Sequence, residues 1–209
     1  MAIIAGIIIY AVIQSSTSVS SDSTPDFIKA ILDDDPKLPG QYIPPHPGAD
    51  GELCTTASCL GTSDDRQHFG NGVVRPICSQ EQIAAKEIAE CYTSNPPTSG
   101  PHASSPAQFK VLDNPAPKEN MLHSMEHGGV IVWYNTDDES AIKQLADWVN
   151  EELGRRRLVT MTKYTEMEPN TIALTGWTRL DKFPASDLTK KRVVDFIEAH
   201  QKRFNPEGF

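Results

Sequence analysis

Six residues, Gly129-Val-Ile-Val-Trp-Tyr134, limit the fold more than any other stretch of the chain. A run that is continuously apolar, β-branched and aromatic offers no polar face to water, so it predicts a strand buried on both sides. Such a strand needs a layer above and below it, and the sequence that follows supplies candidates. Asp137 or Asp138 caps a helix through Ile142, Leu145, Trp148, Val149 and about Leu153, which Gly154 ends. Leu158 to Tyr164 alternates and reads as a strand. Thr171 to Leu180 reads as one further strand with Trp177 inside it, and Leu188 to Phe204 closes as a helix with Val193, Val194, Phe196 and Ile197 on its apolar face. The order strand, helix, strand, strand, helix predicts an α/β or α+β fold: a mixed β-sheet flanked by helices, preceded by an extended N-terminal arm.

Upstream, the chain changes character. Pro25 to Asp33 reads as a short helix capped by Thr24 with Pro25 at its first position. Pro44-Pro45-His46-Pro47-Gly48 is extended or turned, because each proline restricts its predecessor. Gln80 to Tyr92 has helical spacing at Ile83, Ala84, Ile88 and Ala89, and Asn95 to His102 is neither helix nor strand. Three segments follow: an apolar, Ser-rich stretch 1–21, a Pro/Gly/Cys-rich arm 22–62 that lies over the domain without adding to its core, and a globular domain 63–209.

Charge narrows the partners. Nineteen Lys and Arg against 28 Asp and Glu give a formal charge of −9, and the pI is near 5.1. That surface repels polyanions at long range, so nucleic acid is excluded as a partner. The four cysteines, Cys54, Cys59, Cys78 and Cys91, contain no C-x-x-C pair. Their even number fits two disulfides in an oxidising compartment. Three connectivities are open; Cys54–Cys59 with Cys78–Cys91 closes the shortest loops, and four reduced, buried thiols are the alternative.

Ala2 to Ile13 is an apolar run of 12 residues followed by Gln14 to Ser21, polar almost throughout. As a helix it reaches about 18 Å, short of the roughly 30 Å hydrocarbon core. No Lys or Arg precedes it and no small-x-small cleavage pattern follows, so it lacks the marks of a signal peptide. It reads as the tail of a membrane anchor, a degenerate signal sequence or a segment that packs into another protein. An Ile-rich run of this kind calls for burial, which points to self-association or a larger assembly through 1–21, or to membrane anchoring.

Chemistry concentrates on histidine. The chain has His46, His68, His102, His123, His127 and His200. His102 closes a Pro/Gly-rich turn, while His123 and His127 bracket Ser124-Met-Glu126 and run straight into Gly128-Gly129 and the buried strand. Neutral imidazoles suit copper and zinc, and the thioethers of Met121 and Met125 would tilt the site toward Cu(I). Against this stands a plain reading in which the imidazoles only satisfy backbone carbonyls, with Glu126 an orienting or a solvated acid. His123-Ser-Met-Glu126-His127 also matches H-x-x-E-H, an inverted zinc-protease pattern with Glu126 as base and Glu198 the candidate third ligand. The two glycines and strand that follow leave it little helix, so no residue is assigned a catalytic role. Arg155-Arg156-Arg157 reads as a solvated complement to a helix dipole.

Asn95-Pro-Pro-Thr-Ser-Gly-Pro-His102, Leu122-His-Ser-Met-Glu-His-Gly-Gly-Val130, Thr175-Gly-Trp177 and Asn205-Pro-Glu-Gly208 together resemble the DUF3105 family of prokaryotic proteins. The likeness runs from about His68 to the carboxyl terminus. It implies an exported or membrane-anchored, extracytoplasmic domain, and names no activity. It also places Gln67-His68 at the family's upstream histidine. Where the family commonly has leucine at Met125, a thioether ligand loses support, and weight moves to His68, His102, His123 and His127. Two functions are therefore expected side by side. One is an extracytoplasmic binding module that holds a transition metal, copper ahead of zinc, through those four histidines. The other is a structural subunit of an extracellular filament or membrane-associated complex whose apolar N-terminus packs into neighbouring subunits.

Overall fold

The computed structural model describes residues 26–45, Arg66, His68, residues 92–206 and Gly208. Within these, the chain forms an α+β domain around one mixed sheet. The elements in order are α1 (Asp26–Leu32), β1 (Gln41–Tyr42), α2 (Lys118–Glu126), β2 (Val130–Asn135), α3 (Glu139–Gly154), β3 (Val159–Lys163), β4 (Thr171–Gly176), β5 (Arg179–Pro184) and α4 (Lys190–His200). The strands lie in the order β1-β5-β4-β2-β3, with only β2 and β3 parallel.

The apolar run does what its composition requires. Val130 and Val132 face a core with Leu145 and Val149 of α3 and Val193, Phe196 and Ile197 of α4. Ile131 and Trp133 point the other way, into a second core with Met121, Leu122 and Met125 of α2, Tyr92 and Trp177. All four strand residues are fully buried. Alternation thus serves two apolar layers rather than one layer and water. Trp133 Nε1 donates to Thr175 Oγ1 at 2.8 Å, which satisfies the one polar side-chain atom among these four strand residues.

Three sequence expectations change. Thr171 to Leu180 is two strands, not one, because the chain reverses at Trp177-Thr178 and Gly176 pairs with Arg179. The reversal leaves no signature, since Thr178 adopts φ +62° without being Gly or Asn. That conformation costs roughly 1–2 kcal/mol for an L-residue, and the surroundings hold it: Thr178 N–H donates to Thr98 O, and Thr178 O accepts from Ile43 N–H. Gly154 does not end α3 in a left-handed turn; Arg156 does, at φ +63°. Arg155 and Arg156 are exposed at the end of α3, as expected of a solvated cap, but the run also meets a buried partner. Arg155 lies 2.5 Å and Arg157 3.9 Å from Glu152, a carboxylate fully buried in the last turn of α3. Burying that charge without partners would cost several kcal/mol, so the arginines belong to the fold.

The arm also contributes core, contrary to expectation. Ile31 is fully buried in the layer under α2, and β1 extends the sheet against β5. Arg179, 1% exposed, donates to the carbonyls of Asp33, Asp35 and Gly40. At the other side of the sheet, Leu112 N–H and Lys110 O bond Met161 of β3, which closes that edge to further pairing. No helix among the described residues is long and apolar enough to cross a membrane. Residues 1–21, the caps Thr24 and Pro25, the four cysteines, His46 and nearly all of the helix expected over Gln80 to Tyr92 lie outside the described residues.

Candidate metal centre

α2 carries the histidine motif. It is a nine-residue helix, Lys118–Glu126, with His127 as its C-cap, so the pair has the helical support that the following glycines seemed to deny it. Gly128 and Gly129 allow the helix to turn directly into β2. Gly128 sits at φ +81° with a would-be Cβ 2.9 Å from Lys202 Cα, and a Cβ on Gly129 would meet the Phe109 ring at 2.5 Å and Ser124 O at 2.6 Å. Any side chain at either position would push α2 away from the strand.

Three segments converge at this end of the sheet. His102 comes from the Pro/Gly-rich turn and is completely buried; His123 and Glu126 come from α2 and are nearly so. His68 is brought in by a backbone bridge to His102, and its side chain is 38% exposed. One ligand nitrogen from each of His68, His102 and His123 lies within 4.8 Å of the other two. The His68 and His123 rings stack at 4.6 Å, and His102 meets both edge-on at 5.0 and 5.3 Å. His127, the fourth expected residue, stands one step outside this trio, its Nε2 2.9 Å from His123 Nε2. Trp177 packs edge-on against His102 at 6.0 Å.

The ring nitrogens are oriented by acceptors. His123 Nδ1 lies 2.7 Å from Ala103 O, which can only accept, so Nδ1 carries the proton and Nε2 keeps its lone pair. His102 Nδ1 likewise donates to Gly100 O at 2.9 Å, while its Nε2 faces Glu126 Oε2 at 3.0 Å. The carboxylate opposite that nitrogen fixes the orientation of the ring. His68 Nε2 is shielded from water, lies 3.5 Å from Glu126 Oε2 and has no hydrogen-bond partner. Imidazoles held by carbonyls through one nitrogen, with the other directed inward, are what metal ligation needs.

Electrostatics agrees. Burial lowers the His123 pKa, and His102, His127 and His68 lower it further against the opposing Ala103 carbonyl, so the ring stays neutral. Burial would raise the Glu126 pKa, but the His102 hydrogen bond and the charges of His102, Arg66 and His68 outweigh it and hold the carboxylate ionised. Glu126 is thus not a solvated acid; it lies beside the imidazoles and orients His102 through the contact to its Nε2. Its position three residues after His123 on one helix face was the signal available for it. Arg66, 3.8 Å from Glu126, carried none. Met121 and Met125 are buried in the apolar core beneath α2. Glu198, the third ligand of the protease pattern, instead pairs with Arg157.

Among protein families, a model described as a protein of unknown function, DUF3105, matches residues 84–208. That span contains His102, His123, Glu126 and His127, whereas Arg66 and His68 precede it. No curated protein and no solved structure matches the chain.

Proposed function

For this chain, which belongs to the DUF3105 family, we propose a binding module that holds one divalent transition-metal ion through His68, His102 and His123. The observation that carries this reading is the convergence of three imidazole nitrogens within 4.8 Å of one another, with the ionised carboxylate of Glu126 beside His68 and His102. Zinc and Cu(II) accept a mixed imidazole and carboxylate set, whereas Cu(I) prefers the thioethers that here lie in the core. Zinc therefore draws level with copper. A trio of imidazoles and a buried carboxylate suit storage, delivery or bracing of the turn that carries His102.

Adding Zn²⁺ or Cu²⁺ to ion-free protein is expected to raise its melting temperature. At a hundredfold excess over Kd the gain is about 2.7 kcal/mol, or roughly 5–10 °C for a domain of this size. Mg²⁺, which wants oxygen ligands, is the control and should do nothing. A melting curve that neither transition metal moves contradicts the reading.

The extracytoplasmic setting and assembly through residues 1–21 are part of the same proposal, supported by the apolar run Ala2 to Ile13. Deleting Met1 to Ser21 is expected to leave a folded, soluble monomer where the full chain sediments as an assembly. Release from membranes with no change in assembly size would make the segment an anchor instead.

A further inference from the structure

His127 is placed differently from His102 and His123: like His68 it reaches solvent, and its position beside His123 suggests a route. It caps α2 and is half-buried, while His123 and His102 lie beneath it, closed to solvent. His123 Nε2 carries a lone pair because Nδ1 donates to Ala103 O, so the 2.9 Å contact means that His127 Nε2–H donates to it. Two nitrogens bound to one tetrahedral ion, at bonds of about 2.0–2.1 Å, stand about 3.3 Å apart. The His123–His127 pair is therefore already close to the bite of an ion that replaces this proton.

Resting on the metal-site reading above, we propose that the histidines form two overlapping ion positions that share His123. A hydrated divalent ion is first captured at the outer position between His127 and His123, the His127 proton moving through water from Nε2 to Nδ1 so that the ring stays neutral. It then passes to the inner position at His68, His102 and His123. The ring spacings make this stepwise: 4.6 Å from His127 to His123, 4.6 Å from His123 to His68 and 5.3 Å from His123 to His102. Exchange of one imidazole for the next can move the ion without returning it to bulk water. Because His123 Nε2 has a single lone pair, both positions cannot be filled together, and the chain takes one ion at saturation.

The test is stopped-flow mixing of the ion-free full-length chain with Cu²⁺ alone, following tryptophan fluorescence, since Trp177 lies against His102 and its quenching reports arrival at the inner position. Wild type is expected to quench fast. His127→Gln and His127→Asn, which both keep a donor toward His123, are expected to quench at least tenfold more slowly while still taking up the ion. Equal rates in wild type and variants overturn the relay. Uptake of two ions per wild-type chain, or none by the variants, overturns it as well, the latter because His127 would then belong to the resting site. A wild-type chain that takes up no Cu²⁺ overturns the metal site itself, and the relay falls with it.

Discussion

Replacing His102 and His123 together with alanine is expected to abolish zinc and copper uptake at micromolar ion. Loss of one outer-shell partner already weakens a metal site by roughly 10–100-fold; this pair removes two of the three nitrogens that converge within 4.8 Å. Isothermal titration of wild type and variant measures the effect. His102 is buried and bonded to Gly100 O, so its loss can also loosen the turn. His68→Ala separates the two causes, because that side chain is 38% exposed and its removal leaves both carbonyl contacts standing. It should lower affinity by about 10–100-fold with the melting temperature of the ion-free chain unchanged. Undiminished binding in the double variant would return all of these histidines to architecture.

The second large effect lies on the far side of the sheet. His200 is buried in the last turn of α4, and its Nε2–H donates to Pro39 O at 2.7 Å while Nδ1 has no partner. Its pKa is held down to about 4, chiefly by burial and also by Arg203 and Arg179, which the Pro39 bond and Asp33 only partly oppose. An unfolded histidine titrates near 6.5. Between about pH 6.5 and pH 4 the unfolded chain therefore binds a proton that the folded chain refuses, and stability falls as pH drops. The whole window is worth about 3 kcal/mol. The loss is concentrated where the arm is held, since His200, Arg179 and Arg203 donate to the carbonyls of Ala30, Asp33, Asp35, Pro39 and Gly40. Urea unfolding at intervals from pH 7 to pH 5 should show wild type losing stability and His200→Gln losing much less. Carboxylates do not blur this interval, because their unfolded values lie below it. Parallel slopes for the two proteins would place the acid sensitivity elsewhere.

These two sites differ in how much of them the sequence reveals. The Pro/Gly-rich turn ending in His102 and the H-x-x-x-H-Gly-Gly segment were legible because glycine, proline and histidine in such density have few other uses. Burial of Gly129 to Trp133 was legible for the same kind of reason, a run with no polar face having nowhere else to go, although Tyr134 at its end is only half-buried. What stayed hidden depends on contacts between distant segments. The Trp177-Thr178 reversal has no Gly or Asn, and is held by Thr98 and Ile43, which lie about 80 and 135 residues upstream. α2 escaped notice because its apolar residues, Met121, Leu122 and Met125, are interleaved with His123, Ser124 and Glu126, all of them buried. Polar residues turned inward erase the amphipathic pattern that marks a helix. The place of Glu126 was legible only in part, since its spacing from His123 left it either an orienting or a solvated acid until the imidazoles beside it are known. His200 read as one more residue of a closing helix, and nothing local marks the carbonyl it meets from Pro39.

The most direct measurement is elemental analysis by mass spectrometry of the full-length protein, purified from its source without chelator and compared with the His102→Ala/His123→Ala variant. The account predicts about one zinc or copper ion per wild-type chain and none in the variant. A metal-free wild-type chain, indistinguishable from the variant and eluting as a large assembly, would contradict it and leave a structural subunit whose histidines brace the turn.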